Sequence, residues 1–80
     1  MNKQAKNKLE FWTIYDKPKD FPGHFVARRF DIRGGKVETT NIAILAESRQ
    51  EIDTHFYQNG FTWLPRNSGD EAQIVGSWLR

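Results

Sequence analysis

Eighty residues with a net charge of +2 and no cysteine leave room for one core, which buries about 60% of the surface an extended chain would expose. Disulfides, thiolate metal sites and thiol nucleophiles are excluded, so packing alone holds the fold, and a reducing cytoplasm is the expected location. No apolar run nears the roughly 18 residues of a membrane helix, and a strongly acidic DNA mimic is ruled out by the sign of the charge.

Residues 1–8 hold three lysines and almost nothing apolar, which predicts a flexible basic arm ahead of a single domain over 9–80. With charge but no hydrophobic stretch behind it, this arm is not expected to be a secretory signal. Glu10 to Asp16 is rich in aromatic and β-branched residues and runs into Lys17-Pro18, so it reads as a first strand stopped where proline cannot donate to a ladder. The run from Lys17 to Gly23 packs two prolines and a glycine into a connection with restricted backbone angles.

His24 to Ile32 places Val26, Phe30 and Ile32 on one parity and Phe25, Ala27 and Arg29 on the other, as in a strand covered on both faces. Gly34-Gly35 supplies the positive φ angles of a tight hairpin, after which a third strand over Val37 to Leu45 returns antiparallel. Because Ile42 to Leu45 is apolar on both parities, that end is expected to be the more buried. Ser48 and Glu51 match a capping box, and Ile52 and Phe56 share one face before Asn59-Gly60, which predicts a helix of about ten residues.

Phe61 to Pro65 and Gln73 to Leu79 read as two final strands around a polar turn at Arg66 to Glu71. The expected fold is therefore α+β, a small antiparallel sheet in the order β-β-β-α-β-β with one helix packed on one face.

Charge is unevenly divided. Residues 1–36 hold nine basic groups against four acidic ones, and residues 37–80 hold three against six. Catalysis needs a positioned nucleophile, acid or base with a partner, and the sequence offers none. His24 and His55 fall on separate elements, and the spacing of Asp16, Asp20 and His24 has no fixed geometry in a two-proline loop. No enzyme activity, metal or cofactor is expected. The aromatic load of three tryptophans, six phenylalanines and two tyrosines is large for so short a chain; most are expected in the core and one or two on the surface. Exposed aromatics beside arginines are the material of protein-binding hot spots. The candidate partner-binding residues are Tyr15, Phe21, Arg28, Arg29, Arg33, Lys36, Trp63 and Arg66.

Trp12-Thr13-Ile14-Tyr15-Asp16, Pro18, Asp20-Phe21-Pro22 and Phe25-Val26-Ala27-Arg28-Arg29, with the later Leu64-Pro65-Arg66, Ile74-Val75 and Trp78, resemble small uncharacterised bacterial proteins. These begin with a similar tryptophan-rich strand and aspartate-proline loop. The resemblance runs from residue 11 to the end, and the family has no assigned activity to carry over. In size, one-helix make-up and lack of cysteine the chain is also similar to phage-encoded inhibitors of bacterial defence, anti-CRISPR proteins among them.

That similarity implies a non-enzymatic protein that binds and blocks or modulates a larger protein or ribonucleoprotein complex, away from membranes. The alternative is a basic single-stranded nucleic-acid binder that uses the 24–36 hairpin, where aromatic and basic residues interleave.

Overall fold

The computed structural model describes residues 8–80. It contains β1 (Lys8–Asp16), β2 (Phe25–Arg33), β3 (Lys36–Ala46), α1 (Arg49–Gln58), β4 (Thr62–Pro65) and β5 (Ile74–Leu79). The element order matches the expected one. Residues 1–7 of the expected arm lie outside the described residues, and Lys8 already belongs to β1.

All five strands form one antiparallel sheet in the order β3-β2-β1-β5-β4. β1 is thus the central strand, flanked by β2 along its whole length and by β5 from the far end of the chain. The β2–β3 hairpin closes through Gly34 and Gly35, whose φ angles of 58° and 81° are those a two-residue turn of this hand demands.

Strand alternation sorts the side chains into two faces. Trp12 and Ile14 of β1, Ala27 of β2, Ala46 at the end of β3 and Trp78 of β5 share the face that α1 covers, where they meet Ile52, Phe56 and Phe61. Phe56 is the hub of this core. Its ring centroid lies 4.9 Å from Phe61, 5.2 Å from Trp12 and 6.0 Å from Trp78, within the range in which aromatic pairs add to simple burial.

The helix begins as its sequence signature requires, with Ser48 Oγ accepting from the Glu51 amide at 3.2 Å. The reciprocal bond differs from the standard box: Glu51 Oε1 accepts from the Glu47 amide at 3.0 Å, one residue before the cap. The exit is closed by the Asn59 and Phe61 amides, which both donate to the Phe56 carbonyl.

Beyond the end of α1 the same face is occupied by ion pairs. Arg29 bonds Asp31 at 2.9 Å and approaches Glu10 at 3.8 Å, while Lys8 lies 3.8 Å from Asp31 and Arg80 lies 3.3 Å from Glu10. The Trp12 indole also donates to Glu10 at 2.9 Å.

One expectation is corrected. The Ile42–Leu45 segment is not the buried end of β3, because β3 is an edge strand with a single neighbour and one of its faces is uncovered. Ile42, Ala43 and Leu45 are exposed, and only Ile44 packs toward the core. Opposite Arg29, β3 also carries a bulge in which Thr40, Asn41 and Ile42 face one residue of β2. The Thr40 hydroxyl bridges it, donating to the Arg29 carbonyl at 2.7 Å and accepting from the Ile42 amide at 3.1 Å.

Candidate functional site

The face opposite α1 is built from the alternate positions of the same strands. Leu9, Phe11, Thr13 and Tyr15 come from β1, Val26, Arg28, Phe30 and Ile32 from β2, Val37 and Leu45 from β3, Leu79 from β5 and Leu64 from β4. No helix covers it. Val37 is 64% exposed, Leu45 42% and Leu9 40%.

One corner is roofed by the proline loop. Pro18 is buried, and the Asp20 carboxylate accepts from the Arg28 guanidinium, which lies 5.8 Å from the centre of the Tyr15 ring. The loop is pinned by the Phe21 amide on the Pro18 carbonyl and the His24 amide on the Phe21 carbonyl. Burial pushes the Tyr15 phenol above its ordinary pKa, with Arg28 acting in the opposite direction.

A second concavity, about 490 Å³, lies between α1 and the β4–β5 edge and is lined by Arg49, Asp53, Tyr57, Trp63 and Trp78. The spacing i, i+4, i+8 puts Arg49, Asp53 and Tyr57 on one stripe of the helix. Trp63 and Trp78 are cross-strand partners whose rings sit 5.2 Å apart. The Arg49 guanidinium stacks 4.9 Å above the Trp63 ring while its Nε bonds Asp53 Oδ2 at 3.2 Å.

Two polar atoms here are buried and have no hydrogen-bond partner among the described residues: Asp53 Oδ1 and Trp78 Nε1. Groups of this kind carry the full desolvation penalty unless something outside the chain satisfies them. Tyr57, at the mouth, is 76% exposed.

The structure does not gather the eight candidate residues into one surface. Tyr15 and Arg28 share the open-face corner, with Phe21 in the loop above them. Arg29 points to the opposite face and is held by Asp31 and Glu10. Arg33 sits at the hairpin tip 4.0 Å from Glu38, beside the exposed Lys36. Arg66 braces its own turn by donating to the Asp70 and Glu71 carbonyls.

Trp63 lines the helix-side cleft, whose other walls the sequence reading missed. Arg49 and Asp53 are not among the candidate residues, yet Asp53 hides one oxygen and Arg49 covers an indole. The helical spacing of Arg49, Asp53 and Tyr57 was the available signal. Among the described residues no group of three or more His, Asp or Glu is arranged to hold a metal ion, and no helix is long and apolar enough to cross a membrane. Comparison with family models, with curated proteins and with solved structures finds no match to this chain.

Proposed function

We propose that the chain is a non-enzymatic interaction protein that docks on a larger protein or ribonucleoprotein complex and blocks or modulates it, in the manner of phage or mobile-element inhibitors of bacterial defence such as anti-CRISPR proteins. The observation that supports this most is the helix-side cleft. It combines tryptophan, tyrosine and arginine, the residue types that dominate binding energy at interfaces, with a buried acceptor and a buried donor left unsatisfied among the described residues.

The complementary partner is a protein segment with a flat or aliphatic side chain for the wall of Trp63 and Tyr57. A cysteine-free composition fits action in the reducing cytoplasm.

The nucleic-acid reading has less support. Along the 24–36 hairpin, Arg28, Arg29 and Arg33 each face a carboxylate of the same chain, which leaves few cations to displace phosphate counterions. An affinity pull-down from host lysate with mass spectrometry tests the proposal, run in parallel with wild type and with Tyr57→Ala. A stoichiometric protein partner held by the wild type and lost by the variant supports it. Recovery of RNA alone, with binding that weakens steeply across a salt series, would transfer the assignment to the hairpin.

A further inference from the structure

The two faces of the sheet are finished differently. One is sealed by α1 at one end and by the Glu10, Arg29 and Asp31 ion pairs at the other. The other is largely apolar, with Thr13, Thr39, Thr62 and Ser77 as its uncharged polar strand positions. At its strand positions the one charged side chain is Arg28, and this is neutralised by Asp20. Four of the six large hydrophobic residues exposed among the described residues, Leu9, Val37, Leu45 and Leu64, lie on it. Exposed apolar side chains gathered on one face mark an interaction surface.

We propose that this open face is a self-association surface, on which two copies pack face to face about a twofold axis to form a two-sheet sandwich. Strand spacing makes the five-stranded face roughly 24 Å wide, and its length falls from roughly 30 Å along the nine-residue β1 and β2 to roughly 13 Å at the four-residue β4. Discounting the corner under the proline loop, each copy buries on the order of 500 Å². The pair then buries about 1,000 Å², the size a specific interface should clear.

A charge-neutral face suits a second copy, because a twofold axis sets each patch against itself and any net charge would meet its like. The edges point the same way. β3 is interrupted by its bulge, and β4 has four residues and ends in Pro65, both devices that discourage strand addition. Packing through the open faces leaves the α1–β4 clefts outward and free, so this inference goes beyond the docking proposal and does not rest on it.

Sedimentation velocity on the full chain, from about 1 to 100 µM, a range that brackets micromolar affinity, provides the test. The expected result is a concentration-dependent rise from 9.4 kDa toward twice that mass. Leu9→Glu combined with Leu45→Glu changes two side chains already exposed in the monomer. It should hold the protein at 9.4 kDa with an unchanged far-UV circular dichroism spectrum, whereas Tyr57→Ala should still dimerise. Wild type that stays monomeric throughout overturns the proposal, as does a folded Leu9→Glu/Leu45→Glu variant that still dimerises. Should that variant unfold, Val37→Lys, at the most exposed large hydrophobic of the face, gives the same reading.

Discussion

Gly76→Ala is the substitution whose outcome the structure defines most sharply. Gly76 lies in β5 with a φ of 156°, and a methyl group built there would sit 2.3 Å from Trp63 Cη2, 2.4 Å from Trp63 Cζ2 and 2.8 Å from the Leu64 carbonyl oxygen. The benzo ring of Trp63 therefore packs on bare backbone, and no rotation of the alanine relieves the contact. Inserting a methyl into a filled site costs about 1–3 kcal/mol, and an L side chain at this φ adds about 1–3 kcal/mol.

Part of the overlap is relieved if the indole swings into the cleft, so a total of about 2–4 kcal/mol is expected. For a domain of this size the melting temperature should fall by roughly 10–25 °C. Near-UV circular dichroism should change as the Trp63–Trp78 pair opens. Gly69→Ala is the control, since a methyl there meets nothing within 4 Å, and it should move the melting temperature little. Equal melting of Gly76→Ala and Gly69→Ala, with the near-UV spectrum intact, would refute the packing described for Trp63.

In the helix, Phe56→Ala should cost about 3–5 kcal/mol through lost burial and the cavity left among four aromatic neighbours. Ser48→Ala should cost about 1 kcal/mol through loss of the cap, and Asp53→Ala should cost least because it also removes an unsatisfied oxygen. Thermal melts that reverse this order would show that the helix is rotated. The hydrogen bond from Arg29 holds the Asp31 carboxyl below its ordinary pKa against a smaller opposing effect of burial. A depressed carboxyl stabilises the fold above its unfolded pKa and loses that contribution as pH falls through the folded value. Stability should therefore drop below about pH 4, and the drop should be shallower in Asp31→Asn, as followed by melting temperature against pH.

The elements that were legible in the sequence are those set by local chemistry. Ser48 and Glu51 marked the helix start, Gly34-Gly35 marked a hairpin, and Pro18 and Pro65 marked strand ends, because each acts on neighbours a few residues away. Strand order was not legible, since nothing local says that Trp12 pairs with Trp78. The error on Ile42–Leu45 has the same origin: apolar residues on both parities meant burial only if both faces were covered, and neither the open face nor the edge position is written in the segment itself. Arg29 was chosen as a binding residue for its type, and only the register of β1 with β2 shows that Asp31 and Glu10 already hold it.

The placement of β1 between β2 and β5 also orders the assembly of the fold. β1, β2 and β3 follow one another through short connections, so their ladders can zip early, whereas β5 must return across nearly the whole chain to reach β1. Loop closure over that distance is the slow entropic step, and β4, held only by β5, can dock no sooner. The molecule is thus a three-stranded meander onto which the last third of the chain is fastened. Native-state hydrogen exchange should register the seam, with β1–β2 amides outlasting those of β4.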